Sequence, residues 1–411
     1  MIGIHAITRI VLHNSSMDTS MRIDRTHDIV VFGASGYTGR LVAEYLAQQY
    51  PTGDIKWAMA GRSLDKLAAV RMEMGISDSV PLIAVDSDDA ASVEAMVRSA
   101  SVVITTVGPY QLYGNELIAQ CAKHGTDYVD LSGEPGWMHD TIAAHTAAAK
   151  ASGARIVHSC GFDSIPFDLG VYHLQQHAKA LTGKAVSTVK GRVSAMNGSF
   201  SGGTVASLRA TMAAASERPD LIGILVNPFS LAEGFTGPSQ PRGDKPQYDS
   251  ELSSWSAPFF MAPINTKNVH RSNFLLGHAY GEDFCYDEMV LTGDGDDGKA
   301  AAEFVAKDDS FAKSPLQPGE GPSKEEREAG HYRVLFLATT DDGQLLMTSV
   351  SGDRDPGYGS TSKMLAESAL CLLRNPELGG GGIWTPAALM GDALMTRLSD
   401  NAGLTFTIEA P

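Results

Sequence analysis

The chain lacks long hydrophobic runs, closely spaced cysteines and an excess of basic residues. No stretch of about 18 apolar residues is present, so we predict no transmembrane helix. The four cysteines among 411 residues form no C-x-x-C pair and no metal-ligand pattern, which indicates no metal site and favours a reducing, cytoplasmic environment. Acidic residues outnumber basic ones by 48 to 32. A nucleic-acid partner is therefore not expected, because binding to phosphate backbones requires a positive face.

Two catalytic signatures are also missing. Short-chain dehydrogenases use a Tyr-x-x-x-Lys pair, and here Lys363 follows Tyr358 one residue too late. No Ser/His/Asp triad can be identified either. Any catalytic role must therefore be argued from other residues.

Residues 28–40 are the most informative segment. An apolar run from Ile29 to Phe32 ends in three glycines at a spacing of three, and an amphipathic helical pattern follows. A strand that passes through glycines into a helix presents backbone N–H groups to a diphosphate. We therefore predict a dinucleotide site formed by Gly33, Ser35, Gly36, Tyr37, Thr38 and Gly39.

The ends of the following strands favour NADP(H) over NAD(H). Proteins that prefer NAD place Asp or Glu after the second strand, and this chain instead has Arg62-Ser63. Arg62 can pair with a 2′-phosphate, and Ser63 can donate to it while capping the next helix; a solvated arginine is the alternative interpretation. Later strand ends add Asp86 for the adenine half and Thr106, Gly108 and Pro109 for the nicotinamide half.

Alternating strand and helix patterns predict an α/β fold with a Rossmann doubly wound parallel sheet. The chain is too long for one such unit, so a second α+β domain is expected. We predict a disordered tail over 1–26, an NADP-binding Rossmann domain over 27–165 and an α+β substrate or oligomerisation domain over 166–375. Residues 376–411 are expected to return to the Rossmann domain.

Residues 227–268 are rich in Pro, Ser, Gly and Asn. This composition predicts a long irregular loop, and such loops often cover a functional site. His270 and Arg271 follow it. These two residues either hold an anionic substrate or are solvated charges.

Candidate catalytic residues follow the fourth and sixth strands, where substrate would meet the nicotinamide. Asp163 and Ser164 could orient a substrate carbonyl or relay a proton; alternatively, Asp163 caps the helix that starts near Pro166. Tyr110 and Tyr113 could donate a proton, or their rings could simply pack over the cofactor. We take Tyr113, Asp163 and Ser164 as the catalytic candidates.

Several motifs resemble those of the saccharopine dehydrogenase-like oxidoreductases. Within that family the chain is most similar to the trans-acting enoyl reductases that work beside polyketide synthases. The resemblance covers nearly everything from about residue 27 onward. Its motifs lie at residues 33–39, 60–63, 105–110, 160–166, 201–204, 262–266, 271–273, 330–332 and 385–394.

The resemblance implies an NADPH-dependent enzyme of lipid metabolism. Such an enzyme would reduce an enoyl double bond, acting on a CH–CH group, or a carbonyl of a lipid or polyketide-type substrate. The alternative is a non-catalytic NADP(H)-binding sensor or scaffold. Relatives often carry a hydrophobic stretch where this chain has the polar residues 292–312, so membrane association is not supported. Whether the protein forms a homodimer is left open.

Overall fold

The strands and helices are described by a computed structural model over residues 25–51, 53–198, 202–310, 313, 315–316 and 319–410. Of the tail predicted over 1–26, residues 1–24 lie outside this part of the chain. Numbered along the chain, the strands are β1 (His27–Phe32), β2 (Trp57–Gly61), β3 (Leu82–Ala84), β4 (Ala100–Thr105), β5 (Asp127–Val129), β6 (Arg155–Val157), β7 (Thr188–Asn197), β8 (Gln247–Asp249), β9 (Ser254–Pro258), β10 (Cys285–Gly293), β11 (His331–Thr339), β12 (Leu345–Gly352), β13 (Gly382–Trp384) and β14 (Leu404–Glu409).

The helices cover both sheets. They are α1 (Tyr37–Gln49), α2 (Leu64–Glu73), α3 (Ala90–Ser99), α4 (Tyr110–Tyr113), α5 (Asn115–His124), α6 (Pro135–Ser152), α7 (Ile165–Thr182), α8 (Gly202–Glu217), α9 (Pro219–Val226), α10 (Ala262–Leu275), α11 (Gly295–Val305), α12 (Lys324–Ala329), α13 (Thr361–Arg374) and α14 (Pro386–Arg397). Gly125 and Gly153 end α5 and α6, each in the left-handed conformation that glycine adopts without strain.

The first sheet is parallel, with the order β13-β6-β5-β4-β1-β2-β3. Apart from β13, this is the order of a doubly wound dinucleotide-binding fold, which confirms the predicted fold class. The central strand β1 is buried between helices on both faces, and Ile29, Val30 and Val31 are fully buried. Burial on both faces explains why this strand is a continuous apolar run rather than an alternating one.

The second sheet has the order β14-β12-β11-β7-β10-β9-β8. Only β7 and β10 pair in parallel, and the other neighbours are antiparallel. Strands β11 and β12 form a hairpin around Asp341-Asp342-Gly343, since they pair from Tyr332↔Gly352 to Thr339↔Leu345. Helix α7 packs on β11 and β12 and thereby links the second sheet to the end of β6.

Two stretches differ from the sequence-based expectation. Residues 227–268 are not one irregular loop, because β8, β9 and the start of α10 lie within them. Strand β9 pairs with β10 and β8 pairs with β9, and local composition does not report such pairing. The segment 376–411 contributes a strand to each sheet, since β13 pairs with β6 whereas β14 pairs with β12. Helix α13, within 166–375, packs against β4 and β5 of the first sheet.

None of the helices in the described residues is both long enough and apolar enough to cross a bilayer.

Candidate functional site

The glycine loop joins β1 to α1 by close backbone contacts. Gly33 has φ of +89°, a conformation that L-residues with side chains rarely adopt. A Cβ atom added to Gly39 would lie 2.1 Å from the carbonyl oxygen of Gly33. Only glycine therefore lets the first turn of α1 approach the end of β1 this closely.

The N-terminus of α1 suits a phosphate group. Gly36 is its N-cap residue, no side chain caps it, and its first turn contains no acidic residue. The positive end of the helix dipole and its N–H groups thus face the predicted dinucleotide position. Ser35, Tyr37 and Thr38 are half-buried around this turn, and Gly36 is exposed.

At the ends of β2 and β3 the structure places the residues expected to hold the adenosine half. Arg62 is exposed and forms no ion pair with any described residue. Ser63 is the N-cap of α2, where its hydroxyl accepts from the backbone N–H of Lys66 at 3.3 Å. Asp86 is exposed and its carboxylate accepts from the N–H of Asp88. An available guanidinium beside the loop, with no carboxylate after β2, fits the 2′-phosphate of NADP(H).

On the other side of β1, the residues after β4 support the loop and lead into a cavity. The Thr106 hydroxyl donates to the carbonyl oxygen of Gly33 at 3.3 Å. Thr106 and Gly108 line the cavity together with Thr38, whereas Pro109 precedes α4 as its N-cap residue. These three cavity residues bring the nucleotide loop and the predicted nicotinamide edge to one place.

The cavity has a volume of about 510 Å³ and is lined mostly by apolar groups. One wall is α8, whose cavity residues are small or apolar. The remaining wall comes from segments far apart in the chain. Lining residues that the sequence analysis did not identify include Leu131, Met196, Thr204, Ser207, Leu208, Thr211, Met212, Ala215, Leu225, Phe260, Met261, Ile264, Tyr358 and Thr361.

Asp163 is the acidic residue among the cavity-lining side chains. It is partly buried, and its carboxylate forms no hydrogen bond with another described side chain. Removal from water raises the pKa of this carboxyl to about 7. Helix α7 begins at Ile165 with Ser164 as its N-cap and without any side-chain cap, so the capping interpretation of Asp163 is not supported. A carboxyl with this pKa can both give and take a proton near neutral pH.

Ser164 and Tyr113 lie away from the cavity lining. Ser164 is fully buried, donates to Asn265 Oδ1 at 3.1 Å and accepts from Asn268 Nδ2 at 2.6 Å. Its hydroxyl thus ties the start of α7 to α10. The Tyr113 ring is 38% exposed at the end of α4. The structure therefore brings Asp163, and not the other two catalytic candidates, to the cavity.

Tyr110 lines the cavity, but its hydroxyl is bound to the backbone. It donates to the carbonyl oxygen of Thr105 at 3.2 Å and accepts from the N–H of Leu131 at 3.3 Å. Buried Glu134 fixes the start of α4, since its two carboxylate oxygens accept from the N–H groups of Tyr110 and Gln111, each at 2.8 Å. Glu134 was missed because its role depends on a helix that starts far from it in the chain.

A pair of hydroxyl groups is the second polar feature of the cavity. Tyr358 and Thr204 both line it, and their hydroxyl oxygens are 3.0 Å apart. Tyr358 lies in a one-turn π-helix over 356–360, and Asp355 holds this turn by accepting from the N–H groups of Tyr358 and Gly359. In the sequence, Tyr358 is distinguished only by Lys363, which follows it one residue too late for a Tyr-x-x-x-Lys pair.

His270 and Arg271 are neither solvated nor part of the cavity lining. Both are 3% exposed within α10. Arg271 donates to the carbonyl oxygens of Leu231 and Ile383, and burial lowers its pKa to about 10. Arg271 therefore joins α10 to β13. Among the residues that the structure describes, no group of His, Cys, Asp and Glu could hold a metal ion, and the four cysteines are free.

Comparisons with known proteins agree with this geometry. The family described as the saccharopine dehydrogenase NADP binding domain matches residues 29–157. The chain is 38% identical to a trans-acting enoyl reductase from Mycobacterium ulcerans, over 91% of this chain and 96% of that one. It is 40% identical, with the same coverage, to a Mycobacterium tuberculosis protein provisionally named a trans-acting enoyl reductase.

A solved structure shows the same fold at low sequence identity. Saccharopine dehydrogenase (L-Glu forming) from Saccharomyces cerevisiae superposes with a TM-score of 0.53 at 13% identity, covering 93% of this chain and all of that one. This likeness concerns the fold alone. The identity and coverage of these relatives, together with the match to the NADP binding domain, show the family. The chain is an NADP-binding oxidoreductase of the saccharopine dehydrogenase-like family, to which the trans-acting enoyl reductases also belong.

Proposed function

We propose that the protein uses NADPH to reduce the carbon–carbon double bond of an acyl or polyketide-type substrate. The observation that carries this proposal is the position of Asp163: a carboxyl with a pKa of about 7 that opens into a largely apolar cavity beside the nucleotide loop. The names of the trans-acting enoyl reductases support the choice of an enoyl group. The apolar walls support a substrate with a hydrocarbon chain.

Different residues of this chain have separate roles in the proposed reduction. When bound on the loop from Gly33 to Gly39, the cofactor supplies a hydride for the β-carbon of the enoyl group. Negative charge then develops on the substrate carbonyl oxygen, and the Tyr358 and Thr204 hydroxyls are positioned in the cavity to donate hydrogen bonds to it. Neutral Asp163 donates its proton to the α-carbon and becomes a carboxylate, which solvent reprotonates before the next turnover.

This role sets the direction of the pH dependence. The pKa of Asp163 is raised to about 7 because the carboxyl is removed from water. The proton-donating form is therefore the majority species below pH 7 and a declining minority above it. We expect turnover to fall about tenfold for each pH unit above the pKa, provided that proton donation limits the rate.

Steady-state oxidation of NADPH by the purified full-length protein tests the proposal. We expect turnover with enoyl thioesters of N-acetylcysteamine and little with the matching 3-ketoacyl thioesters. Asp163→Asn should reduce turnover by about 100- to 10,000-fold without changing NADPH affinity. Asp168→Asn is the matched control, because burial also raises the pKa of Asp168 to about 7 but Asp168 lies outside the cavity lining.

The outcomes separate the candidate functions. Turnover with the ketoacyl thioesters alone would replace enoyl reduction with carbonyl reduction. Tight NADPH binding without turnover of either series would favour the sensor or scaffold function and contradict the proposal. Equal activity of Asp163→Asn and the wild type would remove Asp163 from the mechanism.

A further inference from the structure

A segment of the second domain crosses the start of α1. Residues 319–330, here called the strap, include α12, whose N-terminus has a capping box between Ser323 and Glu326. The Tyr37 hydroxyl donates to the carbonyl oxygen of Pro322. Gly321 lies so close that a Cβ atom added to it would be 2.5 Å from the Tyr37 ring. The strap therefore rests directly on the first residue of the phosphate-binding helix.

The strap brings a guanidinium group to this position. Arg327 donates from Nη1 to the Tyr37 hydroxyl at 2.9 Å and to the carbonyl oxygen of Pro322 at 2.8 Å, and it lies 5.8 Å from the centre of the Tyr37 ring. It is half-buried and forms no ion pair with a carboxylate in the described parts of the chain. The positive charge of Arg327 is therefore available to an anionic ligand, although the protein as a whole has a net charge of −16.

The position along the sheet indicates which phosphate this cation faces. The Tyr37 ring packs edge-on against Tyr358, with 5.1 Å between ring centres, and Tyr358 lines the cavity with Thr106 and Gly108. Those two residues follow β4, whereas Arg62 follows β2, and β2 and β4 lie on opposite sides of β1. Arg327 is thus on the nicotinamide side of the loop, toward the diphosphate and away from the 2′-phosphate position.

We propose that Arg327 is a diphosphate ligand, so that the second domain completes the cofactor site begun by the glycine loop. The guanidinium donates charge-assisted hydrogen bonds to the diphosphate oxygens, in addition to those donated by the backbone N–H groups of α1. The strap also accepts from the first N–H of α8, between Gly202 and the Glu320 carbonyl oxygen at 3.1 Å. Cofactor binding therefore fixes the wall of the cavity through the same segment.

The proposal depends on NADP(H) binding and not on enoyl reduction, so its failure is distinguishable from failure of the proposed function. Isothermal titration of the full-length protein with NADPH and with NADH provides the test. Both cofactors carry the diphosphate and only NADPH carries the 2′-phosphate. We expect Arg327→Gln to weaken both by the same factor, about tenfold or more, and to reduce the salt dependence of both affinities.

Three variants control for effects on the fold. Arg327→Lys keeps the charge and should recover part of the lost affinity. Tyr37→Phe removes the two hydrogen bonds between the Tyr37 hydroxyl and the strap, those with Pro322 and Arg327, without removing the cation, and should have a smaller effect. Arg333→Gln, an exposed arginine paired with Glu409 on the second sheet, should change neither affinity. Thermal unfolding of each variant without cofactor reports its stability.

Two results would overturn the proposal. Unchanged affinity of Arg327→Gln for both cofactors would show that the guanidinium only supports the strap. A loss confined to NADPH would assign it to the 2′-phosphate instead. If Arg327→Gln does not fold, then equal affinity of Arg327→Lys and the wild type at every salt concentration, together with unchanged affinity in Tyr37→Phe, would count against a diphosphate contact.

Discussion

The glycine loop and the cavity present two different kinds of surface. The surface of the loop consists of backbone atoms, whereas the wall of the cavity consists of side chains from separate segments. The loop from Gly33 to Gly39 exposes N–H groups and the end of a helix dipole. The cavity presents Leu208, Met212 and Ile264 around a single carboxyl. The glycine loop tolerates few substitutions because an added side chain would clash with the closely packed backbone, as at Gly39. The cavity wall, in contrast, can change its specificity one side chain at a time.

The nucleotide side should show the larger effect of a small substitution. Gly39→Ala places a Cβ atom 2.1 Å from the Gly33 carbonyl oxygen. We expect at least about 3 kcal/mol of strain, and NADPH affinity reduced roughly 100-fold or more, measured by titration. Gly223→Ala is the control, because an added Cβ there meets nothing within 4 Å. Normal affinity of Gly39→Ala would show that the loop is not held by this contact.

A side chain on the nucleotide side should act on one cofactor only. Arg62→Ala removes the proposed charged partner of the 2′-phosphate, and we expect a loss of about 2 kcal/mol, roughly 30-fold, in NADPH affinity. NADH affinity should stay constant because NADH lacks that phosphate. Arg98→Ala, on the exposed face of α3, is the control. Equal losses for both cofactors would mean that Arg62 does not read the 2′-phosphate.

The cavity side should instead change the preferred substrate length. Ala215 lines the cavity from α8, whereas Ala213 on the same helix is exposed. Ala215→Phe is expected to exclude about two methylene groups, which corresponds to about 1.6 kcal/mol, or roughly 15-fold, in kcat/KM for long acyl thioesters. Short thioesters and Ala213→Phe should be unaffected. A uniform loss over all chain lengths would contradict an acyl-binding cavity.

The smallest effect concerns stability at two buried carboxyls. Burial raises the pKa of both Asp163 and Asp168 to about 7, so the folded chain holds more protons than the unfolded chain between about pH 4 and 7. Stability contributed by the neutral forms is therefore lost as pH rises through this window. Chemical denaturation at pH 8 should show Asp163→Asn more stable than the wild type by about 1 kcal/mol, since the Asp163 carboxylate has no hydrogen-bond or ion-pair partner among the described side chains.

Asp168 provides the contrast. It accepts from the Ser272 hydroxyl at 2.5 Å and from the N–H of Ala387 at 2.8 Å. Asp168→Asn should therefore destabilise the protein by about 1 kcal/mol rather than stabilise it, because an amide can replace only part of this acceptor set. If both variants shifted stability in the same direction, the distinction between a functional and a structural carboxyl would fail.

How far the sequence predicts the site depends on how local each feature is. The turn at Gly33 and the helix start at Gly36 lie within one short segment, and the structure shows the strand–turn–helix that this pattern indicates. Asp163 and Ser164 are adjacent and looked equivalent in the sequence. The backbone turns one into the cavity and the other toward α10, and only packing decides between them.

Strand β13 and the cavity are two further features that the sequence alone does not predict. Three residues, Gly382–Trp384, extend the first sheet by pairing with β6, but a run this short carries no reliable strand signal by itself. Cavity residues on α8 resemble those of any small-residue helix, and their function follows from the surfaces that face them. Tyr358 and Thr204 form a pair only because the π-helix and α8 meet above the nucleotide loop.

The sequence by itself determined the cofactor class and the side on which the cofactor binds, because contiguous glycines and the residue after β2 set those properties through local backbone geometry. Only the tertiary structure decided that Asp163, the proposed proton donor, lines the cavity. The pKa of Asp163 depends on desolvation, and desolvation arises when separate segments close around a carboxyl and exclude water. That depends on three-dimensional packing, which local sequence patterns do not encode.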